Sequence, residues 1–355
     1  MELRTAKPGE ESRVSDLAVK VFKPNMKEQF TRLFGVQNTD HMFIGLDNEN
    51  LISSVNYYVS QIVSNVGIFK VASIGAVCTD SNYRGKGIAS QLLLMAEEKM
   101  KCEQIDFCII SGRRGMYKRF GAKDVGAINR YLMEPIESTD LITIQKVEGS
   151  SKELYSIYLQ EHIKYVRERE EFEDLWKAQT YPDSYQTYHT YLIGEDKIDY
   201  AYIIVIDHHE KDVLMVKEYA GRRDLVFKSL SKLADKHHKS QIEIMIPHLD
   251  ELNRLMTVEK ERITQQATLK IINQISFLDK LNTYLKKMNM KIGYSEKEDL
   301  YNLNIEKKTY ILNHDQFHLL IFSGVIPESS DMRDQKQIES VFPIELPWSH
   351  NLNYQ

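Results

Sequence analysis

The sequence predicts a mixed α/β protein of two or three domains, and three observations support this class. The chain has 355 residues, more than one hydrophobic core usually serves. Apolar residues make up 42% and charged residues 27%, an ordinary globular composition that excludes collagen-like and disordered classes. One order of elements occurs twice: a helix, a meander of strands, a second helix and a last strand.

Charge and cysteine content narrow the partners and the compartment. The 46 basic residues are outnumbered by 51 acidic ones, a net charge of -5, so no overall positive field would attract nucleic acid or an anionic membrane. Cys78, Cys102 and Cys108 lack metal-ligand spacing and form no disulfide framework. The N-terminal stretch is charged, and no run approaches the roughly 18 apolar residues of a spanning helix. We therefore expect a cytoplasmic protein that binds neither nucleic acid nor membrane.

Residues 1–140 are expected to form the first domain. A short strand at 2–5 and helical patterns at 10–22 and 26–34 precede a meander with strands at 41–46, 51–59 and 68–78. Ile88, Leu92, Met95 and Met100 then recur at helical spacing, and residues 105–110 read as a buried strand. Strand, glycine-rich turn, helix and strand make a βαβ unit, whose two strands should be parallel.

Two further regions follow a polar junction near residues 134–151. Residues 141–264 should repeat the first order, with helices at 153–166 and 225–237 and strands at 190–193, 200–206, 213–218 and 242–246. In place of the glycine-rich turn this second region has only Gly221-Arg222-Arg223, so it resembles a degenerate copy. Residues 265–355 contain a strand and helix within 269–285, strands at 300–303 and 310–312, and an apolar stretch at 318–322. This third region is too small to be an enzyme by itself.

The most informative segment is residues 77–89, Val-Cys-Thr-Asp-Ser-Asn-Tyr-Arg-Gly-Lys-Gly-Ile-Ala, between a strand and a helix. Gly85 and Gly87 allow a ligand to approach the backbone, and free N–H groups and the helix dipole at a helix start favour an anion such as phosphate. A Walker loop would need Ser or Thr after Lys86, and a dinucleotide fingerprint would need Gly at position 90, which is Ser90. Both common nucleotide motifs are therefore excluded.

The run Arg84-Gly85-Lys86-Gly87-Ile88-Ala89 resembles motif A, Arg-x-x-Gly-x-Ala, of the GCN5-related N-acetyltransferases (GNATs). After the next strand, residues 111–121 resemble the second motif of that family, with Tyr117 before a Phe-Gly turn. The resemblance implies that acetyl-CoA is the acetyl donor, with its pyrophosphate on the amides of residues 85–89 and its pantetheine arm along residues 76–79. The cofactor-binding residues it implies are Ala76, Val77, Cys78, Thr79, Arg84, Gly85, Lys86, Gly87, Ile88 and Ala89.

The layout as a whole resembles the Eis-like (enhanced intracellular survival) acetyltransferases. The resemblance implies tandem GNAT-like domains: a catalytic one at 1–140, a degenerate one at 141–264, and a small sterol-carrier-like α+β domain with a tail at 265–355. The ending Phe342-Pro343-Ile344-Glu345-Leu346-Pro347-Trp348 is part of this likeness. It also implies a homo-oligomer. No feature of the sequence chooses among an aminoglycoside, a polyamine and a lysine side chain as the amine that receives the acetyl group.

Amine acetylation needs an acid and a base. An ammonium with a pKa near 10.4 must lose a proton before it attacks a thioester, and the departing thiolate benefits from gaining one. Tyr117 can hold its proton at neutral pH and donate it to the sulfur, so it is the candidate general acid. The Eis-like resemblance implies a terminal carboxylate as base, here that of Gln355. A His found before the second motif in those proteins is replaced by Ile109-Ile110.

Several alternatives remain beside this interpretation. Cys78 could form an acetyl-cysteine, although a free cysteine is more often a small buried apolar residue. The pairs His208-His209 and His237-His238 lack the spacing of structural zinc sites, so no metal is expected. The acidic run at residues 168–174 could attract a cationic amine or simply be a solvated face. The alternative function is a regulatory or scaffold protein that binds CoA without transferring its acetyl group.

Overall fold

The computed structural model describes residues 1–136, 141–195 and 198–354, which form three β-sheets with helices packed against them. The sheets contain eight, seven and three strands among the described residues. The mixed α/β class predicted from the sequence is confirmed. Within these ranges, every helix is too short or too polar to cross a lipid bilayer.

The first part of the chain supplies most of the eight-stranded sheet. Its strand 68–78, its helix 87–100 and its strand 105–110 were all predicted and are confirmed within a few residues. The elements in order are β1 (Glu2–Thr5), α1 (Glu11–Val21), α2 (Met26–Gln29), β2 (Met42–Asp47), β3 (Asn50–Val63), β4 (Ile68–Thr79), α3 (Ile88–Cys102), β5 (Phe107–Ile110), α4 (Gly115–Arg119), β6 (Lys123–Asp124) and β7 (Ile128–Met133).

The second part supplies most of the seven-stranded sheet. Its elements in order are β8 (Thr143–Lys146), α5 (Lys152–Tyr158), β9 (Lys164–Val166), α6 (Arg169–Gln179), β10 (Gln186–Glu195), β11 (Ile198–His208), β12 (Val213–Gly221), α7 (Arg223–Lys236), β13 (Gln241–Pro247) and β14 (Lys260–Ile263). The helix predicted at 153–166 is wrong in its second half, where β9 pairs with β3 instead. Tyr165 explains the difference, because it is fully buried and its carbonyl accepts a hydrogen bond from Tyr158 Oη at 2.7 Å.

The third part forms the three-stranded sheet and the last helices. Its elements are β15 (Thr268–Ile271), α8 (Gln274–Leu285), β16 (Met290–Ser295), β17 (Leu300–Ile305), β18 (Lys308–Leu312), α9 (His314–His318), a π-helical turn (Leu319–Ser323) and α10 (Met332–Glu339). Phe277 of α8 stacks on Phe69 of β4 with ring centroids 5.1 Å apart, and Phe322 lies 5.8 Å from Phe107 of β5. One aromatic core therefore joins this part to the first sheet.

The first sheet has the order β1-β2-β3-β4-β5-β15-β6, with β9 paired to β3 outside this path. β4 and β5 are parallel, as predicted, and the helix α3 makes the crossover between them. The face of α3 that packs against the sheet contains Ile88, Leu92 and Met100, all of them buried. This crossover places the end of β4 next to the start of α3.

The second sheet has the order β14-β7-β13-β12-β11-β10-β8 and repeats the arrangement around a parallel pair, β12 and β13, with α7 as the crossover. Each of these sheets draws strands from more than one region of the sequence. β15 pairs with β5 in the first sheet, whereas β7 pairs with β13 in the second. The three regions are thus tied together by backbone hydrogen bonds, and their borders at residues 140 and 264 stay a prediction.

Candidate functional site

The candidate site lies where β4 and β5 separate. Their parallel pairing runs from Val71 opposite Phe107 to Ile74 opposite Ile110, and the Ser111 N–H still donates to the Ile74 carbonyl at 3.2 Å. The chain after β5 then turns away, because the Gly112 N–H donates back to the Ile110 carbonyl at 2.7 Å. β4 continues to Thr79 without a strand beside it on this side. Its free edge can pair with an extended ligand in the way that a peptide adds to a sheet.

A bulge in β4 marks the middle of this free edge. The register with β3 shifts between Ser54 and Asn56, and Ala76 opposite them has a positive φ of 49°. Bulges turn backbone groups out of the regular ladder. Asn56 Nδ2 lies 3.5 Å from the Ala76 carbonyl, while its Oδ1 is buried and has no hydrogen-bond partner in the described structure. Asn56 lies on β3, on the side of β4 opposite its free edge, so this unpaired acceptor belongs to the bulge and not to the free edge.

The loop at residues 80–87 joins β4 to α3 and is held at its base. The Asp80 carboxylate accepts hydrogen bonds from the Asn82 N–H at 3.0 Å and from Lys20 Nζ at 2.6 Å. Tyr83 Oη donates to Asp47 at 2.7 Å, and Arg84 Nε donates to the Thr79 carbonyl at 3.2 Å. These contacts hold the loop in place on the side that precedes the two glycines.

Gly85 and Gly87 shape the end of this loop. Their φ angles are 79° and 77°, in the left-handed region that favours glycine, and nothing lies within 4 Å of the place where either would carry a Cβ. Gly87 caps α3 without a side-chain hydrogen bond, and Ile88 anchors the helix by its buried side chain. The first N–H groups of α3 therefore face open space, which is the arrangement that binds phosphate oxygens at helix N-termini.

Two cationic side chains accompany these amides. Arg84 and Lys86 are exposed, and neither forms an ion pair with a carboxylate among the described residues. Lys86 Nζ lies 4.7 Å above the Tyr83 ring, which keeps it over the loop. Arg113, by contrast, is paired with Asp124 at 3.3 Å. Arg84 and Lys86 on the loop are thus available to a diphosphate, and Arg114, which acts with Arg84 on the pKa of Cys78, is a further nearby cation.

Tyr117 lies on the short helix α4, next to the gap between the strands. Its side chain is 4% exposed, and its ring packs on the backbone of Gly112, where a Cβ would come within 2.9 Å of Cε2. Its hydroxyl has no hydrogen-bond partner among the described residues. Burial raises the pKa of Tyr117, and the nearby Arg114 guanidinium partly offsets this rise. The phenol therefore keeps its proton at neutral pH, as a general acid must.

The C-terminal tail enters the molecule beside Tyr117. Tyr354 lies close enough that its phenol raises the pKa of Tyr117, and Ser111 partly offsets the rise that burial causes in the pKa of Tyr354. Its ring stacks on His350 with centroids 4.5 Å apart. Gln355, the candidate base, lies outside the described residues, so its role stays a prediction.

A buried ion pair that sequence reasoning missed holds this tail. Arg167 and Glu218 form a bidentate pair at 2.9 and 2.8 Å, and both are buried. Arg167 Nε also donates to Asn353 Oδ1 at 2.6 Å, and Glu218 accepts from the Leu352 N–H at 3.1 Å. No local pattern in the sequence indicates these residues, because they come from three distant segments: the connection after β9, the strand β12 and the tail. Arg167 and Asn353 are 186 positions apart.

The geometry bears on two alternatives from the sequence, an acetyl-cysteine at Cys78 and a metal site formed by histidines. Burial raises the pKa of Cys78 to about 11, and its Sγ lies 3.4 Å from Ser54 Oγ, so the thiol is a buried, protonated group rather than a nucleophile. His189, Asp207 and His237 bring possible metal-ligand atoms within 4.8 Å of one another. Both ring nitrogens of His237 are already engaged, with Asp207 at 3.1 Å and Tyr191 Oη at 2.8 Å. Lys239 Nζ lies 2.9 Å from the same Asp207 carboxylate, which makes this a closed hydrogen-bonded cluster.

Part of the chain matches a known protein family. Residues 2–124 match the family model described as an acetyltransferase (GNAT) domain. This interval contains β4, the loop, α3 and Tyr117, so the GNAT recognition made from the two motifs is confirmed for this part of the chain. No curated protein matches the sequence.

Solved structures share the fold over nearly the whole chain. A GCN5-related N-acetyltransferase from Anabaena variabilis is 13% identical, with 99% of this chain and 95% of that chain covered at a TM-score of 0.66. Eis1 from Mycobacterium abscessus is 12% identical, with 99% and 100% covered and a TM-score of 0.65. A probable N-acyltransferase from Enterococcus faecalis is 15% identical, with 88% and 84% covered and a TM-score of 0.61. At these identities the likeness establishes a common fold.

Proposed function

We infer from the GNAT domain at residues 2–124 that this chain is an N-acetyltransferase, and we propose that it transfers acetyl from acetyl-CoA directly to a primary amine. An aminoglycoside, a polyamine or a lysine side chain would supply that amine. The observation that supports the proposal most is that the free edge of β4 leads directly to the unpaired backbone N–H groups of the loop and the start of α3. CoA has two matching parts: an extended pantetheine arm, which can lie along a strand, and a diphosphate, which can bind at a helix N-terminus.

The proposed positions of CoA follow from these two features. Ala76, Val77, Cys78 and Thr79 would offer backbone groups to the pantetheine arm. The amides of residues 85–89 would bind the diphosphate, with Arg84 and Lys86 adding positive charge. The bulge at Ala76 would let a β4 backbone N–H polarise the thioester carbonyl, as an oxyanion hole does.

The proposed chemistry is one nucleophilic displacement. The neutral amine nitrogen attacks the carbonyl carbon, a C–N bond forms, and the C–S bond breaks. The proton that the ammonium must lose goes to a base, and the thiolate of CoA receives a proton from the Tyr117 hydroxyl. The hydroxyl of Tyr117 suits this role because no described residue offers it a competing acceptor.

We propose the carboxylate of Gln355 as the base. The support for this role is the position of Tyr354, which the tail brings beside Tyr117 and Ser111. Removing residues 354–355 should lower turnover by roughly 10²-fold, the effect expected of a general base, while the affinity for CoA is retained. Wild-type turnover in the shortened enzyme would exclude the tail from proton transfer. A variant with one Gly added after Gln355 displaces the carboxylate without removing a side chain and serves as the second test.

The acidic run at residues 168–174, which could attract a cationic amine or be a solvated face, is partly engaged in other contacts. Glu171 accepts a hydrogen bond from Tyr58 Oη at 2.6 Å, Asp174 pairs with Arg32 at 2.7 Å, and Glu173 pairs with Lys177 at 2.6 Å. The contacts with Tyr58 and Arg32 hold α6 against the first part of the chain, whereas Glu168 and Glu170 are exposed. Both interpretations of the run stay open. A cytoplasmic location and a homo-oligomer stay predictions from the sequence.

The experiment that tests the proposed function measures free thiol released from acetyl-CoA in the presence of spermidine, kanamycin and an acetylatable lysine peptide. Thiol release that requires an amine, together with the acetylated product by mass spectrometry, is the expected result. Tight CoA binding with no thiol released by any amine would favour the regulatory or scaffold alternative. Release without an amine would indicate hydrolysis rather than transfer.

A further inference from the structure

The C-terminal tail runs from the second sheet to the candidate site. Leu352 is fully buried in a cluster formed mainly by side chains of α5, α6 and β11, all in the second part of the chain. Two positions later, the Tyr354 ring packs against a different cluster, which contains Phe30 and Cys78 of the first part. Asn353 lies between them and is 1% exposed. A single buried residue thus marks the place where the tail passes from one part of the chain to the other.

The guanidinium of Arg167 makes three directed contacts at this place. Its two terminal nitrogens bond to the two carboxylate oxygens of Glu218 at 2.9 and 2.8 Å, and its Nε donates to Asn353 Oδ1 at 2.6 Å. A guanidinium presents its donors in a fixed planar geometry, so the ion pair also sets the position of the Asn353 side chain. The Nδ2 of Asn353 is buried and has no hydrogen-bond partner among the described residues. The oxygen is therefore the atom by which this side chain is held.

Glu218 holds the tail through its backbone. One oxygen of its carboxylate accepts a hydrogen bond from Tyr202 Oη at 2.7 Å, and the other accepts from the Leu352 N–H at 3.1 Å. Apolar packing alone could bury Leu352, and a buried ion pair adds little stability over well-packed apolar side chains. What the pair with Arg167 adds is a fixed direction for the residues that follow.

The residues after Asn353 are the ones that reach the site. Tyr354 lies close enough for its phenol to act on the pKa of Tyr117, and its N–H donates to the Asn351 carbonyl at 3.1 Å within the tail. Each residue of a chain spans at most about 3.6 Å, so a shift of Asn353 is passed on to the groups that follow it. Misplacement of a reacting group by about 1 Å can lower turnover about 10²-fold.

We propose that Arg167 and Glu218 are positioning residues of the transferase, which hold Asn353 so that the end of the tail lies beside Tyr117. This inference rests on the proposed function, in which the carboxylate after Tyr354 is the base. It gives the second sheet a role in acetyl transfer that requires no CoA site of its own.

A second ion pair of the same sheet provides a matched control. At the start of α7, Arg223 bonds to Glu161 at 2.6 Å and to Asp250 at 3.0 Å, and the Gly221 N–H donates to Glu161 Oε1 at 2.7 Å. Among the described residues, neither Arg223 nor its two carboxylate partners form a hydrogen bond with the tail. Replacing this arginine by lysine therefore reports the loss of a bidentate pair without the loss of a tail contact.

The first test measures kcat as free thiol released from acetyl-CoA, with the most active of spermidine, kanamycin and the lysine peptide as acceptor. Arg167→Lys keeps a charge beside Glu218 but removes the Nε donor, and Asn353→Ala removes its acceptor. Each should lower kcat about tenfold or more and leave the affinity for CoA unchanged. Asn353→Asp keeps an oxygen for Arg167 Nε and should restore turnover, and Arg223→Lys should have the kcat of the wild type.

The second test repeats Asn353→Ala in a chain shortened by residues 354–355. If the ion pair acts through the end of the tail, the substitution lowers kcat in the full chain and has no further effect in the shortened one. An equal fall in both chains, or no fall in the full chain, would overturn the inference and leave the transferase assignment untouched. Melting curves check folding, and Asn353→Ala, which keeps both buried charges, serves if Arg167→Lys does not fold.

The third test reads the position of the tail without turnover, by digestion with carboxypeptidase Y and intact mass. In the wild type and in Arg223→Lys, digestion should stop at the buried Asn353, whereas in Arg167→Lys it should continue past this residue. Equal digestion of all three proteins would show that the pair does not hold the tail. A wild type that releases no thiol with any amine would refute the proposed function, and this result is read separately from the digestion.

Discussion

The two parallel strand pairs, β4 with β5 and β12 with β13, share a topology but differ in whether the N-terminus of the crossover helix is open to an anion. After β4 the chain makes a loop of residues 80–87 before α3 begins at Ile88. After β12 only Arg222 separates the strand from α7, which begins at Arg223. In the first pair the helix start is open to a ligand; in the second, Glu161 occupies it. The strand-helix-strand topology is therefore not enough to leave a helix start open, and the loop at residues 80–87 is the feature to which we assign the proposed diphosphate site.

Glycine conformation shows the same contrast. Gly85 and Gly87 have positive φ angles and open space around them, whereas a Cβ on Gly221 would overlap the carbonyl oxygen of Tyr200. Gly221 is therefore required by close packing between β12 and β11. The glycines of the first loop are required by its backbone conformation and by access for a ligand.

The largest effect is expected at Tyr117, which has no counterpart in the second pair. Tyr117→Phe should lower turnover by about 10²-fold or more, because the thiolate loses its proton donor. CoA affinity, measured by titration calorimetry, should not change. Tyr185→Phe, at an exposed tyrosine, is the control. Unchanged turnover in Tyr117→Phe would remove this residue from the mechanism.

A smaller effect, on the affinity for CoA, is expected when a glycine of the loop at residues 80–87 is replaced. Gly87→Val forces a β-branched residue into a positive φ, a strain of about 1–3 kcal/mol, and should weaken CoA binding about tenfold. Gly149→Val is a matched control, since Gly149 also has a positive φ, 83°, and open space around it but lies outside the site. If both variants lost CoA affinity equally, strain rather than the loop amides would be responsible.

Replacing Glu161, whose carboxylate occupies the start of α7, tests whether this group stabilises the fold. Glu161→Gln leaves Arg223 with Asp250 alone and should lower the free energy of unfolding by about 1–3 kcal/mol, measured by urea denaturation. The affinity for CoA should stay at the wild-type value. Glu153→Gln, at an exposed position on α5, is the control for loss of charge. A Glu161→Gln protein as stable as the wild type would show that α7 needs no carboxylate.

A pH dependence of stability is expected from Lys217. Its pKa falls from 10.5 to about 8 on folding, so the folded state disfavours the charged form. This cost is fully present below pH 8, shrinks as the pH rises towards 10.5, and is gone above that value. The stability gained in Lys217→Met should therefore disappear over this interval in denaturation curves. A difference between the two proteins that does not vary with pH would contradict a depressed pKa.

The sequence was sufficient where structure is local. The spacing of Ile88, Leu92 and Met100 predicted α3, and the glycines before it predicted the loop, because a helix and its start depend on neighbouring residues. The parallel pairing of β4 and β5 followed from the βαβ order alone.

Long-range pairing could not be predicted in this way. Nothing near Thr268 indicates that β15 pairs with β5, and nothing near Tyr165 indicates a strand beside β3. The tail is a similar case, since Asn353 is held by a buried arginine far away in the sequence. Such contacts depend on which surfaces the folded domains bring together, and a single sequence carries no local signal for them.

A crystal structure of the protein with CoA tests the central claim most directly. We expect the diphosphate oxygens to lie within hydrogen-bond distance of main-chain nitrogens of residues 85–89, with the pantetheine arm along residues 76–79. Coenzyme A bound with its diphosphate elsewhere, for example between β12 and β13, would contradict it.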